Sequence, residues 1–367
     1  MSKKLLFLNG ISILAVICNH AAIYGGIMIS WLTGEPFTAS NCVGGWAWTY
    51  WGLTAIEKLA VFSVPAFLFV SGFFASYSVR GGLSGQSWKI VRVRLVNLLI
   101  PYTIWSIVVF VLDALVLGEV LTPARYLLRL ASGRASQGYY FVPLLCQFYV
   151  LAPVIVSLAK TRGRLMLSVS GFLQLLLIGV TYWLGSSPGF EGSVLCRVVG
   201  LPWFFRWGFF FVLGVVFATN TGRLQNLARL RWALLAGVVV LAPLATIESE
   251  LLYASTGDGL WRVTPLTLFS SLYALAFILC YLTFNPAQGW VSRAFVWLSK
   301  RVYGIYLLQW AVLTHAARCI ALTIPGVIPY QVLVQPVLIA VGLGVPLAAM
   351  GLVAGTPARR YYRWLFG

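Results

Sequence analysis

The sequence predicts an all-α fold, a polytopic membrane helical bundle of about ten transmembrane helices with N- and C-termini cytoplasmic, in one domain covering residues 1–367. Three observations carry this. Apolar residues make up 60% of the chain and charged residues only 9%, where soluble domains carry about 25% charge. The apolar residues fall in ten long runs. The charges divide unequally, with a basic surplus on one side of those runs and a neutral balance on the other. A soluble fold cannot hide that much apolar surface. Nucleic acid binding is excluded too, because the basic residues are scattered between runs and form no stripe.

In chain order the runs are 5–24, 57–79, 95–117, 139–159, 165–185, 200–219, 232–250, 263–284, 295–317 and 330–354. A span needs about 20 mostly apolar residues, and these runs lack the alternation of barrel strands. The first follows Lys3 and Lys4 and holds Asn9 and the pair Asn19-His20. Its length and polar content read as a membrane helix, not a cleaved signal peptide. The second contains the apolar stretch Val64–Phe73. The third follows the basic segment Trp88–Arg94 and carries Pro101 and Asp113. Lys160, Arg162 and Arg164 separate the fourth from the fifth. The sixth is rich in Phe and holds Arg206, and the seventh ends on Glu248 and Glu250. The ninth carries Gln309 and His315, while the eighth and tenth have no charge. Only 25–56 and 118–138 leave connections of any size.

Short loops rich in Lys and Arg stay in the cytoplasm. With the N-terminus inside, the inner side holds a surplus equal to the whole net charge of +18. All the acids (Glu35, Glu57, Asp113, Glu119, Glu191, Glu248, Glu250 and Asp258) fall outside, where they balance the remaining bases, among them Arg197 and Arg262. The six cysteines have no metal-ligand spacing. Cys42 and Cys196 lie in outer loops, where a disulfide or two unpaired thiols both fit. No internal repeat of the transporter kind is visible.

Ionisable groups inside a membrane are costly and usually functional. His20 lies about fifteen residues into the first run, roughly 22 Å from its inner end. At 100° per residue it shares a face with Asn9, Ile13 and Val16. Two roles fit it: a histidine packed near the headgroups, or a general base facing a polar cavity. Asp113, Arg206 and His315 fall at a similar depth in the outer half. Asp113 and Arg206 fit mutual neutralisation as well as a site. His315 fits an interfacial position as well as a site. Glu248 and Glu250 fit a solvated helix end or the binding of sugar hydroxyls. Lys89, Arg92 and Arg94 fit positive-inside anchoring and also suit an anionic cytoplasmic ligand. No Gly-rich phosphate loop, zinc motif or Gly-x-Ser-x-Gly elbow is present.

Several segments, in order, resemble the acyltransferase family 3 membrane proteins. They are Leu8–Val16 with Asn19-His20, Val64–Phe73, Arg92-Val93-Arg94 ahead of Pro101-Tyr102, Tyr140–Leu144 with Tyr149 and Pro153, Leu213-Gly214, and Tyr303–Gln309. The family pairs an arginine with a histidine across ten residues. This chain keeps the histidine as His20 and has Asn9 at the arginine position. Gln309 stands where the family often has histidine.

The resemblance implies an acyltransferase transferring groups other than aminoacyl groups. The donor is acyl-CoA, usually acetyl-CoA, used as a co-substrate. The acceptor is a hydroxyl of a cell-surface sugar, polysaccharide or lipid-linked glycan, and the location a bacterial cell membrane, among membrane lipids. On that reading His20 is the base, and Asn19 and Asn9 are the other catalytic candidates. Lys89, Arg92, Arg94, Ser71 and Tyr306 serve the donor. Asn19, Ser71 and Tyr306 are also candidates to steady the oxyanion. Asp113, Arg206, Glu250, His315 and Gln309 are acceptor-side or structural polar groups. A transporter or flippase, and a non-catalytic relative, are the alternative readings.

Overall fold

The computed structural model describes residues 2–41, 45–79, 82–185, 204–219, 227–257, 259, 261, 264–284 and 288–367. Cys42, Cys196, Arg80, Glu191, Arg197, Arg223, Asp258 and Arg262 lie outside them. Every regular element among the described residues is a helix. Seven helices there are long and apolar enough to cross a membrane.

The chain begins with α1 (Ser2–Thr33), which runs on through Gly25 and Gly26 beyond the predicted end at 24. A side chain at Gly25 would collide with Gln331 and Gln335, so tertiary packing holds the helix together there. The expected connection 25–56 therefore shrinks to the segment between α1 and α2 (Gly45–Ala60). α2 leads into α3 (Ser63–Ser78) across a break at Val61 and Phe62. Pro65 explains the break, since its ring has no N–H and clashes with the carbonyl four residues earlier, at Val61. α4 (Gly85–Leu117) starts under the cap Ser84, whose hydroxyl accepts from Ser87 N at 3.3 Å. It ends at Gly118, whose φ of 68° needs glycine. The second expected connection holds the amphipathic helix α5 (Pro123–Ser132), which leaves Leu127 and Leu128 exposed.

The next helix, α6 (Phe141–Gly185), has 45 residues and one non-helical residue, Arg162. A straight helix of that length would span about 67 Å, twice the roughly 30 Å hydrocarbon core. Both arms instead pack on α7 (Phe204–Thr219): Phe148 stacks on Phe211 at 4.6 Å, and Gly171 faces Phe209. Gly163, beside the bend, faces Val216 near the other end of α7. α6 is thus a hairpin of two antiparallel arms turned at Arg162, between the two basic neighbours Lys160 and Arg164.

α8 (Arg231–Thr256) pairs with α9 (Leu268–Thr283). The predicted run 295–317 is two helices, α10 (Trp290–Ser299) and α11 (Val302–Thr323), broken at Lys300 and Arg301. α12 (Gln331–Gly355) packs on α11, and the short α13 (Tyr362–Phe366) folds back onto α4. There Trp105 Nε1 donates to Leu365 O at 2.8 Å.

α1 is the hub, touching α2, α3, α10, α11 and α12. A close crossing joins α3 and α7. Side chains at Gly72 and Gly214 would land on the carbonyl oxygens of Phe211 and Phe69 respectively, so two glycines let the backbones meet. Large apolar side chains remain exposed outward, including Leu115, Phe172, Trp232 and Val332, as a lipid-facing belt requires. Helix directions gather Lys3, Lys89, Arg164, Arg231, Lys300 and Arg359 at one end of the bundle, called basal here. Lys4 Nζ donates to Leu282 O at 2.7 Å, which ties the start of α1 to the end of α9 at that end.

Candidate active site

A cavity of about 770 Å³ runs along α1. Asn9, Val16, Asn19, His20 and Ile23 line it, over about 21 Å of helix. Three of these, Asn9, Val16 and His20, belong to the face that the helical period placed together. Ser299, Lys300 and Val302 line its basal part, and Arg134, Thr256 and Trp261 its opposite part. The α2–α3 break opens its wall, where Ala60, Val61, Ser63 and Val64 face in.

His20 is the centre of a polar cluster. Its ring meets that of Trp310 at 4.5 Å between centroids, with planes 82° apart. A side-chain carbon at Gly138 would lie 3.8 Å from its Cε1. Gln309 stands beside it, buried, though no hydrogen bond of normal geometry joins them. His20 Nδ1, Gln309 Oε1 and Asn9 Oδ1 are all buried without a hydrogen-bond partner. Buried polar groups are normally satisfied, so these are places for a ligand or water to bond.

Two of the three expected oxyanion donors are engaged elsewhere. Asn19 Nδ2 donates to Glu57 O at 3.1 Å, and Tyr273 hydroxyl donates to Leu59 O at 2.9 Å. Both satisfy carbonyls that the α2–α3 break would leave open, so Asn19 is a structural tie as well as a lining residue. Tyr306 hydroxyl donates to Gly138 O. It belongs to a tyrosine set that fastens α11 to its neighbours: Tyr139 donates to Leu307 O and Tyr303 to Leu98 O, each at 2.5 Å. Ser71 lines the cavity beside Tyr149.

The basic trio divides. Lys89 and Arg92, three residues apart, share an exposed face of α4 turned away from the cavity. Arg94 falls on the other side, 5.0 Å over the ring of Tyr149, and donates to Ser78. The basic residue that does line the basal part is Lys300, placed there by the α10–α11 break that hydropathy concealed.

Of the remaining polar candidates only Arg206 lines the cavity. No ion pair joins it to Asp113, which lies instead near Arg129, His315 and Arg318, away from the cavity. The reading in which Asp113 and Arg206 neutralise each other is therefore corrected: this end of α4 packs on α5, where Phe110 meets Tyr126 at 4.9 Å between ring centroids. Nor do Glu248 and Glu250 form a solvated helix end. Glu248 accepts from Tyr182 hydroxyl at 2.6 Å and Phe269 N at 2.9 Å, and Glu250 from Tyr50 hydroxyl at 2.6 Å. Neither lines the cavity.

Sequence reasoning did not single out Trp310, Arg134, Gln137 or Lys300. Trp310 had a signal, since it falls beside Gln309 and four residues beyond Tyr306. The other three sit where one helix ends, which periodicity does not register.

A family model described as an acyltransferase domain matches residues 5–354. No curated protein and no solved structure matches the chain.

Proposed function

The chain belongs to the acyltransferase 3 family, and from that membership we propose that it moves an acyl group, acetyl foremost, from cytoplasmic acyl-CoA to a hydroxyl of a cell-surface sugar, polysaccharide or lipid-linked glycan. One observation carries the reading. His20, with an unpartnered ring nitrogen, stands in the wall of a cavity that continues toward both ends of the bundle. Its volume suits a small-molecule site.

In this reading the two arms of α6 are separate spans, and α7 and α9 cross as well. That makes ten spans with both termini cytoplasmic, in a bacterial cell membrane. The basal end, rich in Lys and Arg, is then the inner one. The donor enters past Lys300 with its phosphates left at the inner face. The acceptor enters from the Arg134 and Trp261 end. His20 takes the proton of the acceptor hydroxyl as its oxygen attacks the thioester carbonyl. The C–S bond breaks, and the leaving thiolate receives the proton from His20. An ester forms and free CoA returns to the cytoplasm.

Purified protein incubated with radiolabelled acetyl-CoA and candidate glycans tests the proposal. Label transferred to an acceptor by the wild type and not by His20→Ala supports it. Absence of transfer to every hydroxyl acceptor by folded wild-type protein overturns it.

A further inference from the structure

A second cleft, of about 550 Å³, lies at the basal end between α10, α12 and the C-terminal turn. Arg301, Arg359, Arg360 and Arg363 ring it. Among the described residues no carboxylate lines it and none of these four arginines is paired with one. Four guanidinium groups without a counter-charge repel one another, so the cleft is built for an anion. Two of them are fixed by the protein. Arg301 sits 3.9 Å over the ring of Trp297 and donates to its carbonyl at 3.1 Å. Arg363 donates to Asn97 Oδ1 through Nε at 3.0 Å and Nη2 at 2.8 Å. Arg359 and Arg360 are exposed on the turn Pro357–Tyr361.

The floor is of a different kind. Leu347, Met350, Gly351 and Ala354 of α12 form it. The same helix turns Val337, Val345 and Leu352 outward, and Trp297 and Trp364 stand exposed at the same end. A rim of arginine above an apolar, outward-facing helix flanked by tryptophan matches a phospholipid, headgroup above and chain below. A soluble phosphate compound would use the rim and have no use for the floor.

We propose that this cleft binds the phosphate headgroup of an anionic phospholipid of the adjoining leaflet, its acyl chain lying along α12. The proposal is independent of the acyl-transfer reading. Arg301 follows Lys300, so the phosphates of a CoA donor are the rival ligand, and the experiment separates the two.

Native mass spectrometry of the detergent-purified full chain would compare retention of phosphatidylglycerol and phosphatidylcholine, with CoA as a soluble competitor. The wild type should retain phosphatidylglycerol preferentially, and CoA should not displace it. The exposed pair Arg359→Gln/Arg360→Gln should lower retention about 25-fold, at roughly fivefold per guanidinium. Gly351→Leu keeps every arginine, and open space surrounds that position. It should fill the floor and weaken phosphatidylglycerol retention while leaving elution and melting unchanged. Equal retention of the two lipids, unchanged retention in both variants, or displacement by CoA would overturn the proposal.

Discussion

The imidazole of His20 and the indole of Trp310 meet at 4.5 Å between ring centroids, with planes at 82°. An edge-to-face pair of this kind contributes about 0.5–1.5 kcal/mol beyond area burial, enough to select one imidazole orientation in a cavity wall. His20→Ala should therefore lower transfer from labelled acetyl-CoA by about 10²–10⁴-fold, the usual worth of a general base. Trp310→Ala should lower kcat about tenfold with donor KM unchanged, and Trp310→Phe should restore most of the loss. Full activity in His20→Ala would remove the residue from the chemistry.

The crossing of α3 and α7 makes a second prediction, on stability. Gly72→Ala and Gly214→Ala each place a carbon on a facing backbone oxygen, of Phe211 and Phe69 respectively. Neither oxygen can rotate away, so the helices must part. Overpacking costs about 1–3 kcal/mol, and backbone collision lies at the upper end. Thermal unfolding in detergent should fall by several degrees for either variant. Gly344→Ala, at a helical position with open space around it, should show no fall.

The same pair shows how far the sequence could be read. The Ser-Gly-Phe and Leu-Gly segments are visible as motifs, yet their meaning is a contact between residues 142 positions apart. The face of α1 was legible because a single helical period relates Asn9, Val16 and His20. The roles of Asn19 and Tyr306 were not, since each donates to a carbonyl from another element, Glu57 and Gly138. Helix breaks at Val61–Phe62 and Lys300–Arg301 were hidden inside apolar runs. Hydropathy sums over a window and does not register a change of direction, and these two breaks shape the cavity.

Asn19 and Tyr273 make a third prediction. They satisfy the carbonyls of Glu57 and Leu59, next to the break. Removing one donor leaves a carbonyl unpaired, at about 1–3 kcal/mol. Asn19→Ala and Tyr273→Phe should both lower the melting temperature. Activity per folded molecule should fall less than threefold in Tyr273→Phe. A fall in Asn19→Ala as deep as that of His20→Ala, with melting unchanged, would give Asn19 a direct part in the chemistry instead.

The last prediction concerns the donor. Lys300 lines the basal part of the cavity, whereas Lys89 and Arg92 are exposed on α4 and do not. If the phosphates of acetyl-CoA rest at that end, Lys300→Gln removes a charge beside them. Such a contact is made equally in the bound and transition states, so its loss raises KM and leaves kcat unchanged. A single exposed contact between unlike charges, worth about 1 kcal/mol, corresponds to roughly a fivefold rise in donor KM. Lys89→Gln/Arg92→Gln should change donor KM less than twofold, and added salt should weaken the Lys300 effect by screening. Steady-state kinetics on the three proteins decides between the two sets of bases. A larger KM change in the α4 pair than in Lys300→Gln would return the donor to the outer face of α4.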